Sequence, residues 1–262
     1  MLAPPLHMES ITRRHFALIA GGAFATFALG DACIEAGQSR EFRDGRFTTR
    51  PRRPSTNALK SGPLGLGSGE RDGVVQVPST PPPERGFPLL LFLHGATQNG
   101  ARMLQRVGPA ADQMGVAVLA PDSRSGTWDA IRGDFGEDVA FINRALDSVF
   151  DRVQIDPARI AIGGFSDGAS YGLSLGLANG DLFPKVVACS PGFIIQAPAH
   201  GRPRLFFSHG RSDQILPIDQ CSRVMVPRLK SMGYDVVFRE FDGRHELPPD
   251  IAIEALRWMS EA

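Results

Sequence analysis

From about residue 70 onward the chain alternates short, wholly apolar runs with longer segments whose apolar residues recur every three or four positions. Val74–Val77, Leu89–Leu93, Val116–Ala120, Ile160–Gly163, Val186–Cys189, Leu205–Ser208 and Val236–Phe241 read as strands, each stopping near Gly, Pro, Ser or Asp. Leu89–Leu93 (LLLFL) lacks polar alternation, as a strand covered on both faces requires. Val74–Val77, bounded by Gly73 and Pro78, is expected at an edge. Helices are expected over 99–113, 134–153, 167–179, 217–232 and 249–260. In the second, Val139, Ile142, Ala145, Leu146 and Val149 line up as one buried stripe. This order predicts a single α/β domain: a doubly wound, mostly parallel sheet with right-handed crossovers, whose ligands bind beyond the carboxyl ends of the strands. No internal repeat interrupts it.

The first 32 residues follow a different pattern. Arg13 and Arg14 precede a 14-residue apolar run, Phe16–Leu29, too short for the roughly 20 residues that span a bilayer. The run shows no polar face. Paired arginines before such a stretch resemble a twin-arginine export signal, which implies passage through the translocase and a periplasmic or secreted product. Cys33 invites comparison with a lipid-acylated cysteine, but Leu29 stands four residues before it rather than three, so ordinary cleavage is the expectation. Residues 33–69 read as a basic linker. Arg40–Lys60 holds seven basic residues against Glu41 and Asp44, with Pro51 and Pro54 opposing a helix. The catalytic unit is then expected over 70–262.

Composition narrows the function. Twenty-eight basic and 28 acidic residues leave no net charge, so the electrostatic footprint of a nucleic-acid binder is missing. Because Arg40–Lys60 carries most of the excess basic charge, the region from residue 70 is net acidic. Three cysteines, 33, 189 and 221, without a Cys-x-x-Cys pair, fit neither a disulfide scaffold nor a four-ligand zinc site. Cys189 and Cys221 read as buried thiols, with a disulfide as the alternative.

Chemistry enters at Gly164-Phe-Ser-Asp-Gly168, which follows a strand-like run and opens a helix rich in small residues. A sharp strand-to-helix turn of this kind exposes the central serine, Ser166, at the edge of the sheet. A serine hydroxyl needs a base to take its proton, and the base needs a carboxylate to fix its tautomer. Of the histidines after Ser166, His200 lies in a Pro-containing loop and His209 ends a strand. His245, between the last strand and the last helix, is the candidate base. Asp213, just beyond the Leu205–Ser208 strand, is the candidate acid; Asp219 and Asp242 are its rivals. Two backbone N–H groups should face the oxyanion, each contributing roughly 3 kcal/mol. They are assigned to Asp167 and to Ala96, in the loop after Leu93, where His94 reads as a brace. Such chemistry calls for no cofactor and no metal.

The set LHGATQNG, GGFSDGAS, SHGRSDQILP and DGRHELP, in this order, resembles the phospholipase/carboxylesterase family of α/β hydrolases across residues 70–262. The resemblance implies the α/β-hydrolase fold, with Ser166 as nucleophile, Asp213 as acid, His245 as base, and Ala96 and Asp167 lining the oxyanion hole. Family members commonly carry Gln where Asp167 stands, so this chain places a carboxylate beside the oxyanion. About 14 residues separate Cys189 from Arg204, too few for a helical cap, which implies an open cleft. Trp128 is a candidate pocket wall, with a buried structural role as the alternative. The main expectation is a serine hydrolase of short or medium acyl esters or lysolipids. The alternatives are a polymer or plant-wall esterase of the feruloyl esterase or polyester depolymerase type, a serine peptidase, and an inactive binding protein.

Overall fold

The computed structural model describes residues 42–55, 58–67 and 71–261. The twin-arginine segment and Cys33 lie outside these residues.

Eight strands form one sheet: β1 (Gly62–Pro63), β2 (Gly73–Gln76), β3 (Phe87–Leu93), β4 (Ala117–Pro121), β5 (Ile155–Phe165), β6 (Lys185–Cys189), β7 (Arg204–Gly210) and β8 (Val236–Phe241). Their order is β1-β2-β4-β3-β5-β6-β7-β8. β1 and β2 run antiparallel to their neighbours, and from β4 to β8 every pairing is parallel. β2 is therefore one place in from the edge that its composition suggested, because the two-residue β1 pairs outside it.

The helices are α1 (Gly100–Gln113), α2 (Asp129–Arg132), α3 (Glu137–Arg152), α4 (Asp167–Ala178), α5 (Ser222–Ser231) and α6 (Pro249–Ser260). Alternate residues of β3 show how the layers are held. Leu89, Leu91 and Leu93 belong to one buried cluster with Val139 and Leu146 of α3, Leu173 of α4 and Leu229 of α5. Leu90 and Phe92 face the other way, onto Met103 and Val107 of α1 and Leu256 and Met259 of α6. A strand so covered has no polar face to show water, and each of these side chains contributes about 1.5–3 kcal/mol by its burial. No helix among the described residues is long and apolar enough to cross a membrane.

Two local departures have physical causes. α5 begins at Ser222 rather than near Pro217, because residues 218–221 first make a turn in which the Cys221 N–H reaches the Pro217 carbonyl at 3.1 Å. The segment before residue 70, read as a solvated linker, packs on the domain instead. Phe47 is 1% exposed. Its N–H donates to Asn179 Oδ1 at 2.8 Å, and Arg46 and Arg50 both ion-pair with Asp181. Arg52 pairs with Asp147. The basic charge of this stretch is thus matched to acidic groups of α3 and of the turn after α4, and among the described residues the packing reaches upstream of residue 70 as far as Phe42.

Candidate active site

β3, β4, β5, β7 and β8 end on the same side of the sheet, and the site is built from the turns that follow them. Ser166 occupies the turn between β5 and α4 with φ 59° and ψ −121°, a conformation that L residues rarely adopt. The glycines on either side are required by space. A Cβ on Gly164 would meet the Gly168 and Leu93 carbonyl oxygens at 2.4 and 2.6 Å, and one on Gly168 would meet those of Leu93 and His94 at 2.2 and 2.5 Å. Only bare backbone lets the turn sit this close to β3.

His245, in the loop between β8 and α6, places Nε2 2.8 Å from Ser166 Oγ and Nδ1 2.6 Å from Asp213 Oδ2. Phe165 packs on its ring at 4.9 Å between centroids. Asp213 is 5% exposed. Its other oxygen, Oδ1, accepts the N–H groups of Ile215 and Leu216, each at 2.9 Å. The rival acids lie elsewhere: Asp219 pairs with Arg223 and Asp242 with Arg211, both on the surface. His200 is exposed and takes no part.

The loop after β3 closes over Ser166. A Cβ on Gly95, the neighbour of Ala96, would lie 3.2 Å from the Ser166 Cβ. The Ala96 and Asp167 N–H groups, the latter at the first position of α4, have no protein acceptor among the described residues. His94 is wholly buried and braces this loop. Its Nδ1 donates to the Gly95 carbonyl at 2.7 Å, and its Nε2 accepts the Ser123 N–H at 2.9 Å. Burial holds its pKa down to about 4, so the ring is neutral.

Trp128, a candidate for the pocket wall, is 0% exposed and lines no cleft. It stacks on Tyr171 at 5.1 Å, and its indole N–H donates to the His94 carbonyl at 2.9 Å, so it supports the loop from below. The loop after β4 supplies what motif reading missed. Thr127 donates its hydroxyl to Asp167 Oδ2 at 2.6 Å. That loop is itself held by two carboxylates: Asp138 accepts the N–H groups of Arg124 and Asp129, while Asp129 accepts the Tyr171 hydroxyl. Burial, with Asp129 nearby, pushes the Asp138 carboxyl up to about 7. The signal available in the sequence was position alone, a polar run directly after a strand's carboxyl end. Residues 190–203 contain no helix, so this connection supplies no helical cap. Ile215, next but one to Asp213, is 64% exposed. Cys189 and Cys221 are both free and buried.

Residues 131–258 match the model of the Phospholipase/Carboxylesterase family. NocK of Nocardia uniformis subsp. tsuyamanensis is 28% identical over 191 residues, covering 68% of this chain and 55% of NocK. Feruloyl esterase C of Emericella nidulans is 29% identical over 157 residues, 57% of each chain. The chain thus spans little more than half the length of these relatives. Among solved structures, FphF, a fluorophosphonate-binding serine hydrolase of Staphylococcus aureus, superposes with a TM-score of 0.60 at 15% identity, covering 80% of this chain and 100% of its own. The chain has the α/β-hydrolase fold, and its segment 131–258 is similar to the phospholipase/carboxylesterase family.

Proposed function

We propose that the protein is a serine carboxylic-ester hydrolase working through an acyl-enzyme. The observation that carries this reading is the unbroken relay Ser166 Oγ to His245 Nε2 at 2.8 Å and His245 Nδ1 to Asp213 Oδ2 at 2.6 Å, with the serine on a strained turn. Ser166 Oγ attacks the ester carbonyl carbon while its proton passes to His245 Nε2. Negative charge collects on the carbonyl oxygen, where the Ala96 and Asp167 N–H groups receive it. Collapse breaks the bond to the alcohol, which leaves with the proton from His245. Water, deprotonated by the same nitrogen, then releases the acid and restores Ser166. Asp213 keeps Nδ1 protonated and offsets the imidazolium charge at each step.

A connection without a helical cap between β6 and β7 favours short and medium acyl esters or lysolipids over bulk lipid interfaces. Ser166→Ala should abolish turnover of p-nitrophenyl acetate and labelling by a fluorophosphonate. Turnover within a fewfold of wild type would overturn the reading. A panel running from acetyl to octanoyl esters, with methyl ferulate added, assigns the acyl class.

Export is part of the same proposal: residues 1–32 direct the chain through the twin-arginine translocase to the periplasm or beyond. The support is the Arg13-Arg14 pair before the 14-residue apolar run. A folded reporter fused after residue 33 should leave the bacterial cytoplasm and stay inside when Arg13 and Arg14 are both changed to Lys. Retention with the arginines intact would sink the idea.

A further inference from the structure

Asp213 is held by two histidines, not one. His209, at the carboxyl end of β7, is 0% exposed, and its Nε2 lies 2.7 Å from the Leu216 carbonyl oxygen and 3.2 Å from Asp213 Oδ2. Its Nδ1 lies 2.7 Å from Ser222 Oγ at the start of α5. A carbonyl oxygen only accepts, so Nε2 carries the hydrogen. Burial lowers the pKa of the ring, which is therefore neutral; Nδ1 is a lone pair and the Ser222 hydroxyl donates to it. The Nε2–H is directed at Leu216 O, and its positive end also lies 3.2 Å from Asp213 Oδ2, the same oxygen that takes the His245 Nδ1–H at 2.6 Å.

We propose that His209 is a positioning residue for the ester hydrolysis argued above: with Ser222 fixing its tautomer, it pins Asp213 Oδ2 in the place from which that oxygen orients His245. The inference rests on the Ser166–His245–Asp213 reading. Two consequences follow from the chemistry. Without His209, Oδ2 keeps only His245, the carboxylate is fixed through Oδ1 alone by the Ile215 and Leu216 N–H groups, and the wider play of Oδ2 loosens the aim of His245 Nε2 at Ser166. The His209 N–H also draws negative charge from Oδ2. Its loss leaves that oxygen a stronger acceptor and makes His245 easier to protonate. The titratable groups facing Asp213 are His209 from β7, His245 from the loop after β8, and the Cys221 thiol ahead of α5, which burial and the Asp213 charge push up to about 11. Of these, Cys221 stays protonated throughout the working range, so a shift in the acid limb of the rate profile reports on His245.

The test measures kcat and KM for p-nitrophenyl acetate between pH 5 and 9, with folding followed by circular dichroism, for wild type, His209→Gln, His209→Leu and Ser222→Ala. Gln keeps an N–H donor at similar reach, whereas Leu keeps none. His209→Leu should lose roughly tenfold or more in kcat with KM within twofold, and its acid limb should move to higher pH. His209→Gln should recover most of both. Ser222→Ala, which frees the tautomer, should lose a fewfold and shift the limb the same way. A folded His209→Leu with the wild-type profile, or Leu and Gln impaired alike, overturns the proposal. Should the Leu variant not fold, an unchanged profile in Ser222→Ala does the same. Ser166→Ala is run alongside. If it stays active the catalytic reading itself has failed, whereas if it is dead and only the His209 and Ser222 arms miss, the positioning proposal alone falls.

Discussion

Thr127 donates its hydroxyl hydrogen to the Asp167 carboxylate across 2.6 Å, so the loop after β4 holds the side chain of the residue that follows Ser166. No cation pairs with Asp167 among the described residues. An uncompensated carboxylate beside the place where an oxyanion forms opposes that charge, by about 1 kcal/mol at contact range in water and more where water is excluded. Asp167→Asn removes the charge and keeps an acceptor for Thr127. It should raise kcat/KM on neutral esters severalfold, and raise it further on esters whose acyl group is anionic, such as a succinate monoester. Equal gains on both substrates would show that Asp167 does not select by charge.

Backbone strain at Ser166 sets a second expectation. A left-handed φ of 59° with ψ −121° costs a residue with a Cβ about 1–3 kcal/mol, and glycine escapes it. Ser166→Gly and Ser166→Ala both remove the hydroxyl, so their difference isolates the backbone. The Gly variant should be about 1 kcal/mol more stable than the Ala variant in urea, the reverse of the usual order, and both should be inactive.

The packed segment before residue 70 is tested by removing its anchor. Phe47 lies edge-on to Phe183 with ring centroids 5.8 Å apart and is 1% exposed. Phe47→Ala should lose about 3–5 kcal/mol from cavity and transfer effects. Arg50→Ala, at the exposed Asp181 pair, should lose less than about 1 kcal/mol. If Phe47→Ala unfolds at the wild-type urea concentration, the segment is not part of the cooperative unit.

These sites differ in how far the sequence disclosed them, and the reason is range. Ser166 was legible because its requirements are local: Gly164 and Gly168 are dictated by carbonyls of the adjacent strand, and a five-residue motif records that. Asp213 and His245 followed from strand order, since the fold brings successive carboxyl ends together. The unbroken apolar run LLLFL likewise disclosed both packed faces of β3. Thr127 was not legible as the partner of Asp167 because 40 residues separate them, whereas His209 lies only four residues before Asp213 and was passed over because a histidine ending a strand reads as structural. Trp128 was misplaced for a related cause: its loop sits near the cleft, but the Tyr171 ring that draws it inward belongs to α4, 43 residues away. The arginines around residue 50 looked solvated because their acidic partners, Asp147 and Asp181, lie about a hundred residues on.

The last expectation concerns acid. His94 is neutral in the fold because its Nε2 accepts a backbone N–H from Ser123, a bond that protonation would break, and because the ring is buried. Its pKa falls from 6.5 to about 4, so between those values the unfolded chain binds a proton that the folded chain refuses. Stability from this group is complete above about pH 6.5 and is lost as the pH falls toward 4, a change on the order of 3 kcal/mol. Other carboxylates act in the same window, Asp138 with the opposite sign because its pKa is raised to about 7. The informative quantity is therefore the difference between wild type and His94→Gln. That difference, read from urea midpoints, should shrink steadily from pH 7 to pH 4. A difference that stays constant across the window would mean that His94 is already charged in the fold, and that the loop bearing Ala96 is braced some other way.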